Sequence, residues 1–397
     1  MRLTILPALF ALSLLACSSG SDDDADPPRC DGAANLPAVD PTPDCDPLMP
    51  ARCALPWPSS RFLAADASRK TGWRVALGVT TLPANQNGKH AFSTSWAAMD
   101  GFGVGTPIVT LFPGVDPTNL PAENDPSRSL EATSPTLLLR VGSDGKLTQV
   151  AHFAEVDMGG KPADDHPLVI RPLVILEEGT RYIVALRNLV DTDGVAFAPS
   201  EPFAALRDCG TKGSYLEARQ AHFDNILKLL EGAGVPPGDL QLAWDFTTAS
   251  SEAMHGRLLH ARDKAFEIVG EKGPELTITS VTEYVAKDDG SGKPVDENIA
   301  LAIKGTFKVP RFVRAVEVKD QTGWMLNLGA DGNPVQDGWT KPEFWVRVPH
   351  SALSGKAHGI VQYGHGLLGK GSQVGGSHNS KMANKYDLIF FACNWTG

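Results

Sequence analysis

A mixed α and β chain is predicted, with a β-rich first part of the immunoglobulin-like kind, a short helical segment, and then the opening strands of a parallel sheet. Three observations predict it. Gly and Pro make up about 17% of the 397 residues, above the roughly 12% usual in globular chains, so turns are frequent. Short apolar runs divided by turn signals fill the stretch from 55 to about 208. Near the end, two wholly apolar runs flank a polar stretch of helical length, as in strands buried on both faces. With 42% hydrophobic and 21% charged residues, the chain can build more than one core, and collagen, coiled coil and wholesale disorder are excluded. A net charge of −10 excludes a general nucleic-acid partner, because phosphate contacts need a basic face.

The first residues read as an address. Arg2 precedes a run, 3–15, that is apolar except at Thr4, Pro7 and Ser13. It is too short to span a bilayer but suits a secretory leader over 1–16. It closes with Leu14-Leu15-Ala16-Cys17, which resembles the bacterial lipobox. The resemblance implies cleavage before Cys17, diacylation of its sulfur, and anchoring in the bacterial cell envelope. Ser18 after the Cys is similar to the outer-membrane sorting pattern. Residues 17–53 hold eight acids and two bases in polar, Pro-bounded text, so an acidic tether is expected there.

Cysteine usage fits export. Beyond Cys17, the candidates for disulfides are Cys30, Cys45, Cys53 and Cys209. Cys30–Cys45 and Cys53–Cys209 are the favoured pairings, the second pinning the start of a domain to its end. Cys393 lies in an apolar run and reads as a small buried hydrophobe.

A β-rich domain is expected over 54–210. Residues 136–141 form a strand that breaks at Gly142-Ser-Asp-Gly145. The run 168–176 reads as an edge or bulged strand because Pro172 cannot donate to a ladder. The run 181–186 is a further strand, and Asp191-Thr-Asp-Gly194 is a turn rather than a calcium loop, since no downstream Glu completes it.

A helical segment follows over 211–272. Phe223, Ile226, Leu227 and Leu230 form one stripe, and Met254, Leu258, Ala261, Ala265 and Ile268 a second, both read as core faces. His222, His255 and His260 beside them are read as structural, with no metal spacing. Between the helices, 240–246 is a strand candidate. Strands resume at 276–285, 299–309 and 343–348; Gly290-Ser-Gly-Lys293 lacks the spacing of a phosphate-binding loop.

Chemistry enters at Tyr363-Gly-His-Gly-Leu-Leu-Gly369, where an apolar strand runs into a Gly-rich loop. In α/β-hydrolases a His-Gly after the third strand opens the oxyanion-hole loop, whose backbone amide faces the developing negative charge and contributes about 3 kcal/mol per donor. His365 and Gly366 shape this loop, and Leu367 supplies the candidate amide.

That motif, taken with Cys53-Ala-Leu-Pro-Trp-Pro-Ser59, Met99-Asp-Gly-Phe102, Gly179-Thr-Arg-Tyr182 and Ala243-Trp-Asp-Phe-Thr-Thr248, resembles bacterial surface lipoproteins of the virulence-factor-lipase type. The resemblance spans about 53–397. It implies a β-rich N-terminal region, an α/β-hydrolase domain, and a serine esterase or lipase acting on acyl esters, without cofactor or metal. The chain departs from that family in having no Gly-x-Ser-x-Gly. None of the catalytic triad is present, so residues 273–397 are expected to be an incomplete α/β-hydrolase domain that turns over no ester. Its third strand, 359–363, should then be an exposed apolar edge. The alternative is a non-enzymatic cell-surface lipoprotein that binds a partner through aromatics such as Trp57, Trp73 and Trp96.

Overall fold

The structure, a computed structural model, describes residues 36–159, 166–318, 321–354 and 359–394. The leader, Cys17 and Cys30 lie outside the described residues. The fold is mixed α and β, and the chain divides into two compact units after Thr248.

The first unit contains strands β1 (Leu63–Ala65), β2 (Trp73–Val75), β3 (Ile108–Thr110), β4 (Thr136–Val141), β5 (Leu147–Gln149), β6 (His152–Val156), β7 (Leu168–Pro172), β8 (Arg181–Arg187) and β9 (Leu240–Thr247). Helices α1 (Glu201–Arg207) and α2 (Gln220–Gly232) lie between β8 and β9. Four strands pair antiparallel in the order β5-β4-β8-β9, three in the order β3-β7-β6, and β1 with β2 forms a ribbon. Both larger sheets feed one core, in which Ile108, Leu168 and Ile170 join Leu137, Val184, Leu186, Trp244 and Phe246.

Strand β8 is buried along almost its whole length, which explains why its sequence is a continuous apolar run instead of an alternating one. The four apolar residues of the α2 stripe are all buried, and α2 packs on β9. Helix α1 has no counterpart among the sequence expectations. At seven residues it is too short to show periodicity, and its signal is the cap: the Ser200 hydroxyl accepts from the Phe203 amide and Pro202 sits in the first turn.

Three expectations are corrected here. Strand β7 is central, flanked by β3 and β6, and it ends at Pro172; a terminal proline costs the ladder nothing. Part of the expected tether is built into the unit, for Leu48 is a core residue and Asp46 is fully buried. The disulfide pairing also differs: Cys45 joins Cys53, eight residues on, across a turn in which the Asp46 amide donates to the Cys53 carbonyl. Cys209 is also disulfide-bonded.

The expected helical segment straddles the division, since α3 (Arg257–Val269) belongs to the second unit. No residue of α3 is buried, and Leu258 is 71% exposed. An amphipathic stripe shows that a face needs cover, not that cover is present.

The second unit continues with β10 (Leu276–Glu283), β11 (Ile299–Phe307), β12 (Val309–Pro310), β13 (Val313–Val318), β14 (Gln321–Leu326), β15 (Trp339–Thr340), β16 (Glu343–Pro349), β17 (Gly359–Gln362), α4 (Ser377–Lys385) and β18 (Leu388–Cys393). Its main sheet runs β10-β11-β16-β18-β17. The first three pairings are antiparallel; β17 and β18 run parallel, joined through α4 as a parallel pair requires. Ile299, Trp345, Val374, Ala383, Phe390 and Ala392 form its small core. Cys393 is free and half-buried, and burial raises its thiol pKa. Among the described residues β17 pairs only with β18, so it is an edge, and Ile360 on it is 70% exposed.

Candidate functional site

The loop after β17 was expected to carry the oxyanion donor. It is a solvent-facing turn in which the Gly369 amide donates to the Gly366 carbonyl and His365 Nδ1 lies 2.9 Å from that oxygen. Leu367 is 97% exposed, its neighbour Leu368 has φ 60°, and the Leu367 amide has no acceptor among the described residues. Among the described residues, the loop lines none of the four cavities of about 330–490 Å³. An oxyanion donor needs a walled, water-poor groove to be worth its full effect, and the exposed Leu367 has none among the described residues. The glycine that follows, Gly371, has a packing reason: a Cβ there would meet the Trp345 ring at 2.7 Å.

The strongest polar constellation lies elsewhere, in a cleft of about 480 Å³ in the first unit lined by Ser60, Trp73, Arg181, Tyr215, Arg219, His222 and Asp245, among others. Three elements build it. Asp245 sits on β9, where the pleat sends Leu242, Trp244 and Phe246 to one face and Ala243, Asp245 and Thr247 to the other. Register places Ile183 of β8 opposite Asp245 and Arg181 one diagonal step away, from where Arg181 Nε donates to Asp245 Oδ2 at 2.6 Å. His222, on the first turn of α2, lies with Nε2 2.8 Å from Asp245 Oδ1. Ser60 comes from a 3₁₀ turn over Ser60–Phe62, docked by the Trp244 indole donating to the Pro58 carbonyl at 2.8 Å.

Asp245 is 3% exposed at its side chain. Burial alone pushes its carboxyl upward; the His222 hydrogen bond and charge, Arg181 and the Ser60 hydroxyl outweigh it and leave it at about 2. The group is therefore an anion, and an anion only accepts hydrogen bonds.

Ser, His and Asp here share the composition of a hydrolase triad without its geometry. A triad needs the acid on one ring nitrogen and the serine on the other. Both Asp245 and Ser60 address Nε2, at 2.8 and 3.3 Å, while the Ser60 hydroxyl donates to Asp245 Oδ1 at 2.5 Å. Since Nε2 must carry a hydrogen toward the carboxylate, it has no lone pair for the Ser60 proton. Ser60 is not an activated nucleophile. The arrangement holds Asp245 as an ionic hub and leaves His222 Nδ1 without a partner among the described residues.

A second buried acid sits behind the wall. Asp46 accepts from the Leu48 amide, the Ser59 hydroxyl and Arg219 Nη1, the last at 3.4 Å. Arg219 also lies over the Phe223 ring at 5.2 Å. Desolvation, with Asp40 and Glu201 nearby, raises the Tyr215 pKa, so its phenol remains a donor at neutral pH.

The sequence reading did not find this cleft, and it took His222 as structural. The available signal was Asp245 itself, the one charged residue of β9, set between Trp244 and Phe246, because a buried charge must be paired. Among the described residues no group of three metal-ligating side chains occurs, and no helix is long and apolar enough to cross a membrane. The chain matches no protein-family model, no curated protein and no solved structure.

Proposed function

We propose that the chain is the N-terminal portion of an exported bacterial lipoprotein of the virulence-factor-lipase type, anchored through Cys17 in the cell envelope at the outer membrane, whose complete form hydrolyses acyl esters with a serine nucleophile. The observation that carries this reading is the parallel pair β17–β18 with a free apolar edge on β17. In an α/β-hydrolase the third strand lies between the fourth and the fifth, so a third strand paired only with the fourth leaves its other edge open. The candidate oxyanion residues His365, Gly366 and Leu367 follow that strand directly and are solvent-facing at Leu367. A fifth strand there would give the loop a wall and would deliver the nucleophile elbow. The sandwich-like sharing of one core by two antiparallel sheets supports the immunoglobulin-like reading of the first unit.

The test is the genomic sequence beyond codon 397. The expected result is an in-frame Gly-x-Ser-x-Gly within roughly 100 residues, the spacing at which a fifth strand and its elbow follow. A stop codon with no such element contradicts the reading.

A second reading, a non-enzymatic surface lipoprotein that binds a ligand, is favoured by one observation. Trp73, exposed as that reading requires, lines the donor-rich cleft of the first unit. Trp57 instead packs on Phe62 and Phe102.

A further inference from the structure

The lining of the first-unit cleft points to a binding site for a small carboxylate-bearing molecule with a flat or apolar body, a role that goes beyond the hydrolase reading and stands without it. The acids of the cleft are engaged inside the protein. Asp245 Oδ1 takes Ser60 and His222, and Oδ2 takes Arg181. Asp46 is taken by Leu48, Ser59 and Arg219. Asp40 accepts from the Thr42 amide and lies 3.8 Å from Arg61 Nη2.

What remains is a surplus of donors. Arg219 has a single acceptor, Asp46, at a long 3.4 Å, so its Nε and second amino group have none among the described residues. The Tyr215 hydroxyl and the Trp73 indole N–H are in the same position. The guanidiniums of Arg61, Arg181 and Arg219 line the cleft with Asp40 and Asp245, and Asp46 is buried behind Arg219, so the charges are matched and the surplus is one of hydrogen-bond donors. A ligand that brings acceptors fills these open donors, a carboxylate best because it matches the Arg219 fork; a cation would meet the guanidiniums. Guanidinium and carboxylate match as two parallel hydrogen bonds, which makes Arg219 the residue that seats the acid. Leu63, Leu216 and Trp73 supply the apolar part of the wall, and the volume falls within the range of small-molecule sites. A bare anion such as phosphate would leave that wall unused.

Calorimetric titration of the full chain with benzoate, benzamide and inorganic phosphate tests the site. Benzoate is expected to saturate one site per chain at submillimolar concentration, and benzamide, its neutral isostere, to bind at least about tenfold more weakly. Arg219→Gln and Trp73→Ala are each expected to weaken benzoate by about tenfold or more. Trp73 is 40% exposed at the end of a short strand, so its variant keeps the test valid if Arg219→Gln perturbs folding through Asp46. Absence of benzoate binding, equal binding of benzoate and benzamide, preference for phosphate, or unchanged affinity in a folded variant overturns the assignment.

Discussion

Replacing Asp245 with Ala is expected to destabilise the first unit by about 3–5 kcal/mol, the range for removing one partner of a buried charge network. The size follows from what is left behind. Arg181, His222 and Ser60 all direct donors at this carboxylate, and its removal strands them beside the core strands β8 and β9. For a unit of this length that loss is expected to lower its melting temperature by roughly 10 °C. Urea unfolding of the first unit, with its disulfides intact, measures it, and a loss below about 1 kcal/mol would show that the hub is not structural.

The same residue sets an acid limit. Its folded pKa, about 2, lies below the ordinary 3.8, so its contribution is complete above about pH 4 and fades as the pH falls toward 2. The amount is on the order of 2 kcal/mol. Asp245→Ala is expected to flatten that part of the stability–pH curve, and an unchanged slope between pH 4 and 2 contradicts the assignment.

The second large effect concerns β17. A strand whose second edge has no partner among the described residues, with Ile360 70% exposed, is a template for pairing with another chain. The chain expressed as residues 17–397 is expected to self-associate, and Ile360→Lys to shift most of it to monomer, since a charge on an edge strand opposes pairing. Light scattering after size exclusion distinguishes the two. A parent chain that is already monomeric, or a variant that associates as before, would show that the edge is not sticky.

These expectations show which parts of the molecule the sequence made legible. Strands β4, β8, β17 and β18 were readable as largely apolar runs closed by turn residues, and β9 as an apolar run interrupted by Gln241 and Asp245. The α2 stripe was readable because four apolar residues repeat at helical spacing over a full-length helix. The parallel pairing of β17 with β18 was readable because both runs lack alternation and a polar helix separates them.

What stayed hidden depended on partners distant in the chain. Whether the α3 stripe is covered is a tertiary fact, as is the place of Leu48, which with Met49 packs into or against the core from a Pro-bounded pair in acidic text. Disulfide pairing has the same character, since four cysteines allow three connectivities and spacing does not choose. The cleft is the extreme case. Arg181 and Ser60 reach Asp245 across 64 and 185 residues, and only the β8–β9 register and the docked 3₁₀ turn bring them together. A lone buried Asp signalled that such partners must exist, without naming them.

Membranes prepared from the native cells and treated with a fluorophosphonate probe put the central proposal to its most direct test. The expected result is a labelled band in the membrane fraction that yields peptides of this chain, and that Cys17→Ser moves to the soluble fraction. A membrane band that carries these peptides and takes no label would contradict the esterase.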